Sequence, residues 1–74
     1  MRITWSPSVK SELDGLPGAE AGQIRSEVKT AFTDSIPSNA VNLPHDRLML
    51  ELPCGWEVEC DRIGDGVRIL DLHS

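Results

Sequence analysis

The side chains able to do chemistry gather in the second half of the chain. They are three glutamates (Glu51, Glu57, Glu59), three arginines (Arg47, Arg62, Arg68), two histidines (His45, His73) and two cysteines (Cys54, Cys60). The glutamates are the most ordered group. Trp56-Glu57-Val58-Glu59-Cys60 alternates apolar and acidic residues at a period of two, the pattern of a strand with one face buried and one in water. Leu48, Leu50 and Leu52 alternate in the same way with Met49 and Glu51. Glu51, Glu57 and Glu59 therefore belong to the wet face of one sheet, where they either solvate that face or attract a basic peptide or protein.

The cysteines invite a metal or a disulfide, and neither fits. Their six-residue spacing is not a Cys-x-x-Cys pair, and only His45 and His73 could add imidazole, so no zinc site is expected. Cys54 falls in the Pro53-Cys54-Gly55 turn, while Cys60 lies four residues along the strand from Trp56, roughly 13 Å at strand rise. That exceeds the Cα separation a disulfide spans. Cys60 shares the parity of Trp56 and Val58, which makes it small buried filler. His45 sits alone in a loop with two prolines and two asparagines, residues 37–46, and reads as exposed.

The elements that must position these residues follow from periodicity. Ile3 and Trp5 alternate with Arg2, Thr4 and Ser6 as a short first strand. Ser6-Pro7 is a helix start, and Val9, Leu13 and Leu16 form one apolar stripe after it. Leu16-Pro17-Gly18 ends that helix. A second should begin near Ala19, bury Ala21, Ile24, Val28, Ala31 and Phe32, and close at Ile36-Pro37. Three strands follow, the last two joined through Gly64-Asp65-Gly66, whose glycines accept positive φ. The last strand, Val67 to Leu72, leaves two facings open: either Val67 and Ile69 or Leu70 and Leu72 meet the helices. The expected fold is α+β, in the order β-α-α-β-β-β, with a helix hairpin covering one face of an antiparallel sheet. Leu48, Leu50, Leu52, Trp56, Val58 and Cys60 should supply that covered face.

At 74 residues this is one domain. No run of eighteen apolar residues exists, so no membrane span is expected, and the start lacks the apolar stretch of a signal peptide, which points to the cytosol. The net charge of −5 is unevenly placed: residues 1–36 carry four basic and five acidic side chains, residues 37–74 three and seven. Such a surface repels phosphate and disfavours nucleic acid. No glycine-rich phosphate loop is present, and no cofactor is expected.

Three stretches in this order resemble the RelE/ParE toxin superfamily of bacterial toxin–antitoxin systems. They are Ile3-Thr4-Trp5-Ser6-Pro7-Ser8 ahead of a helix, Leu13-Asp14-Gly15-Leu16-Pro17 at the helix-hairpin turn, and Gly55-Trp56-Glu57-Val58-Glu59-Cys60 followed by Gly66-Val67-Arg68-Ile69-Leu70. Together they span nearly the whole chain. The resemblance implies a RelE/ParE-like fold and a protein partner of antitoxin type, because family toxins are held by antitoxin segments lying across the scaffold. It also implies two activities, cleavage of ribosome-bound messenger RNA or poisoning of DNA gyrase.

The site departs from the family's ribonucleases. RNA cleavage through the 2′-hydroxyl needs a base, an acid for the leaving oxygen and cations for the phosphate charge. Where those members place Lys and Arg on the middle strands, this chain has Met49, Glu51 and Glu57, and it stops at His73-Ser74 before their usual basic C-terminal segment. Arg68 and His73 are the residues that carry over as candidate catalytic remnants. Carboxylates aimed at a phosphodiester oppose its cleavage. The sequence thus points to a protein-binding member of the superfamily without ribonuclease chemistry, binding through Glu51, Glu57 and Glu59. The alternative is an active mRNA endonuclease using Arg47, Arg62, Arg68 and His73 or His45.

Overall fold

In the computed structural model, which describes residues 1–74, the chain forms β1 (Arg2–Trp5), α1 (Pro7–Asp14), α2 (Gly18–Ala31), β2 (Val41–Leu43), β3 (Arg47–Glu51), β4 (Glu57–Ile63) and β5 (Gly66–His73). The local signals explain the helix ends. The Ser6 hydroxyl accepts the Val9 N–H at 3.3 Å, and Pro7 is the first helical residue, where its missing N–H costs nothing. Gly15 closes α1 by donating its N–H to the Ser11 and Glu12 carbonyls. Val9 and Leu13 are buried, and Leu16 packs half-buried against the same core.

α2 stops five residues short of the Ile36-Pro37 boundary. The cause lies in Thr33, whose hydroxyl donates to the carbonyls of Lys29 (2.9 Å) and Thr30 (3.0 Å). Those bonds satisfy carbonyls that another helical turn would have used, and Thr33-Asp34-Ser35 is a run whose side chains compete with the helical backbone. Ala21, Ile24, Val28 and Phe32 are buried as their spacing suggests, while Ala31 is only half-buried.

The sheet has five strands in the order β1-β5-β4-β3-β2 and is mixed, not antiparallel. β1 runs parallel to β5, and the other three pairings are antiparallel. The additional strand, β2, comes from the loop assigned to residues 37–46. Its three residues pair with Arg47–Met49, and the turn that follows carries His45 and Asp46 at φ 65° and 59°. β4 runs on through Asp61, Arg62 and Ile63.

One irregularity resolves the facing of the last strand. Glu59 pairs with Asp71 but Cys60 pairs with Ile69, so Leu70 is an extra residue on β5, a β-bulge. The bulge changes parity within the strand. Val67 and Ile69 face the helices before it and Leu72 after it, with all three buried. Each of the two alternatives therefore holds for part of the strand. Leu48, Leu50, Leu52, Val58 and Cys60 complete the covered face beneath Phe32, Ile24 and Val28. Trp56 is a correction: it is half-buried at the margin, and its indole N–H donates to Glu20 Oε1 at 2.9 Å. A tryptophan at a core margin needs such a partner for its polar edge.

Of the two glycines expected to supply positive φ in the β4–β5 turn, only Gly64 does so, at φ 52°. Gly66 is required for another reason. A Cβ there would lie 2.0 Å from the Arg2 carbonyl oxygen, because β1 passes directly beside it.

Candidate functional site

Helices cover one face of the sheet, and the opposite face is open. The register places its side chains in three cross-strand rows. Glu51, Glu57 and His73 form the first, Met49, Glu59 and Asp71 the second, and Arg47, Asp61 and Arg68 the third. The three glutamates singled out from the sequence are thus brought together. Two carboxylates join them from β4 and β5, Asp61 and Asp71. Asp61 extends the alternation of Glu57 and Glu59 by one more step, a signal hidden by ending the strand at Cys60. Asp71 reaches this face only through the bulge at Leu70.

The charges on this face are partly self-compensated. Arg47 donates to Glu59 Oε2 at 3.2 Å and Arg68 to Asp61 Oδ2 at 3.0 Å. The His73 Nε2 lies 3.8 Å from Glu59 and 3.9 Å from Asp71. Glu59 and Asp61 are the sheltered partners, their side chains about one-fifth exposed, while Arg47 and Arg68 are about half exposed. Asp61 Oδ1 is out of contact with water and has no hydrogen-bond partner. Glu51 and Glu57 stand directly opposite each other and neither forms an ion pair. Five carboxylates (Glu51, Glu57, Glu59, Asp61, Asp71) therefore meet two guanidinium groups (Arg47, Arg68), a balance of −3 with His73 neutral.

The candidate catalytic residues separate along the strands. Arg68 lies in the row nearest the β4–β5 turn and His73 in the row at the far end of β5. His45 sits in the β2–β3 turn at the Arg47 end, exposed and away from the His73 row. Arg62 has the opposite parity: it pairs with buried Val67 and leaves the open face. Arg47 and Arg68 share the face but are each held by a carboxylate, which spends their charge before any phosphate arrives. No group of three or more His, Cys, Asp or Glu side chains is arranged to hold a metal ion.

Both thiols are free. Cys60 is completely buried, and burial first, then the neighbouring Asp61 and Glu59 charges, pushes its pKa from 9.0 up to about 11. Cys54 is half-buried in the β3–β4 turn, and its thiol is raised by burial and by Glu27 beside it. Its backbone N–H donates to Glu27 Oε1 at 3.0 Å. Burial acts to raise the Glu27 carboxyl, but hydrogen bonds from Cys54 and Gln23 outweigh it and hold the group below its ordinary value. These neutral thiols are poor nucleophiles and serve packing and turn geometry. No helix is long and apolar enough to cross a membrane. Comparison with protein-family models, with characterised proteins and with solved structures returns no match, so the open sheet face must be read from its own geometry.

Proposed function

We propose that this chain is a non-catalytic binding module of toxin–antitoxin type on a RelE/ParE-like scaffold, holding a basic protein partner against the open face of β3, β4 and β5. The observation that carries this reading is the opposition of Glu51 and Glu57. Like charges directly across a strand pair destabilise a sheet, and here neither carboxylate forms an ion pair. A cationic side chain arriving from a partner removes that repulsion and finds Asp71 and Glu59 in the adjoining row. An antitoxin-like protein with a basic segment has the required chemistry.

The resemblance set out above supports the scaffold part of the proposal: a helix pair on one sheet face leaves the other free for a partner segment. The test is induced expression in a bacterial host, wild type beside Glu57→Arg, with titration of both purified proteins by a lysine- and arginine-rich peptide. Unimpaired growth with salt-sensitive binding to wild type, lost in Glu57→Arg, is the expected result. Growth arrest by the wild type that Arg68→Ala or His73→Ala abolishes contradicts the non-catalytic reading.

The rival reading is a translation-inhibiting mRNA endonuclease. It draws on the placement of Arg47, Arg68 and His73 on one face, and it requires growth arrest that Arg68→Ala or His73→Ala abolishes. The −3 balance around both arginines favours the binding module, because phosphate must displace a carboxylate from each guanidinium while approaching three more.

A further inference from the structure

At the edge of the sheet away from the glutamates, β1 and α2 enclose a groove of about 550 Å³. Its apolar surface comes from Ile3, Trp5 and Met1 over buried Phe32, and Arg25 and Lys29 stand on it from α2. Ile3 and Trp5 are half-buried and present aliphatic and aromatic surface to the opening, while Phe32, fully buried, closes its floor behind them. The volume is that of a small-molecule site, as is the composition, an apolar lining with a few convergent polar groups.

The charged side chains of the lining share one sign, and the remaining polar one, Thr33, is neutral. Arg25 and Lys29 are exposed, lie one helical turn apart, and take part in no ion pair, since every ion pair of the molecule is on the open sheet face. Like charges at this spacing repel. They stay unrelieved in a chain whose net charge is −5. The backbone adds donors. Ser6 gives its N–H to Ile69 on β5 at 3.0 Å, so by strand alternation Arg2 and Thr4 also face β5. Ile3 and Trp5 then point their N–H and C=O groups out of the sheet at its open edge, beside the groove their side chains line. Only these two residues of a four-residue strand offer outward groups, too short an edge to fix the register of an added strand.

We infer that this groove binds a small amphiphilic carboxylate, its apolar body against Ile3, Trp5 and Met1 and its carboxylate between Arg25 and Lys29. The ligand class follows from two unrelieved cations over an apolar lining, and the inference is independent of the partner bound by the opposite face.

Decanoate is a suitable probe, with decanol as its uncharged match. Heteronuclear NMR resolves the two indole N–H signals, Trp5 in the groove and Trp56 at the far margin of the core, with assignment by Trp5→Phe. Decanoate should shift the Trp5 indole and the Ile3 and Phe32 amides while leaving Trp56 in place. Decanol and the Arg25→Gln/Lys29→Gln variant with decanoate should each bind at least about tenfold more weakly, a difference of the size expected for lost charge-assisted contacts. Both substitutions are at exposed, unpaired positions, and an unchanged melting temperature verifies the fold. Glu57→Gln should leave decanoate binding intact. Equal binding of decanoate and decanol, unchanged affinity in the double variant, or no perturbation at millimolar decanoate overturns the inference. So does an acidic peptide that protects the Ile3 and Trp5 amides where decanoate has no effect, since the groove is then a protein-docking edge.

Discussion

Replacing Glu57 by glutamine should make the protein more stable and a poorer binder at once. Glu57 lies between Glu51 on β3 and His73 on β5, all on the open face, and forms no ion pair. A cross-strand pair of like charges costs about 0.2–1 kcal/mol. Glutamine keeps the shape and removes the charge, so a gain of about 0.5 kcal/mol is expected at low salt, equivalent to roughly 2–4 °C in Tm for a domain of this size. Glu51→Gln removes the same repulsion from the other side and should give a similar gain. The double variant should gain little more than either single one, because both delete one shared interaction. Chemical denaturation of the four proteins of this double-mutant cycle measures the coupling directly. Raising the salt to 1 M, where charges are screened within about 3 Å, should reduce it towards zero. Additive gains, or a loss of stability in Glu57→Gln that salt leaves unchanged, would refute the reasoning, because the two carboxylates would then be solvated independently.

Three further outcomes follow from the fold. Gly66→Ala should cost at least about 3 kcal/mol and release β1 from β5, since its Cβ would meet backbone atoms of Arg2 that cannot move aside; amide exchange along β1 checks it, and protected β1 amides would be the contrary result. Between pH 9 and pH 11 the protein should lose up to about 3 kcal/mol through Cys60, whose pKa rises from 9.0 unfolded to about 11 folded. The protonated thiol is favoured in the native state, so this stability is fully present below pH 9 and falls as the unfolded thiol ionises; denaturation across that range should show a shallower slope in Cys60→Ala. His45→Gly should stabilise by about 0.5–1 kcal/mol by relieving a left-handed backbone at φ 65°, read as a higher denaturation midpoint.

How much of this was legible in the sequence depended on the range of the forces involved. Period-two and helical spacing placed Leu48, Leu50, Val58, Cys60, Val9, Leu13, Ile24 and Val28 in the core, because burial of one face is written into each element separately. The alternation in β3 and β4 likewise brought Glu51, Glu57 and Glu59 to one face. Non-local choices were silent. The parallel seat of β1 beside β5 shows only in Gly66, whose missing side chain makes room for Arg2 and which reads as a turn residue in the sequence. The bulge at Leu70 left no mark in a continuous apolar run, so the arrival of Asp71 and His73 on the glutamate face was unreadable. β2 was missed because three residues between prolines carry too little pattern, and its pairing with β3 defines it. The length of α2 was overestimated because Thr33 ends it through its own side chain, a local competition that the proline four residues further on obscured.

The central claim, that the carboxylate face of β3, β4 and β5 receives a basic protein segment, is tested most directly by mapping amide shift changes as a lysine- and arginine-rich peptide is titrated into the labelled protein. The account predicts perturbations confined to Glu51, Glu57, Glu59, Asp71 and His73 and their immediate neighbours. They should weaken with salt and disappear in the Glu51→Gln/Glu57→Gln variant, which remains folded. Perturbations elsewhere, or binding unchanged by that double substitution, would contradict it.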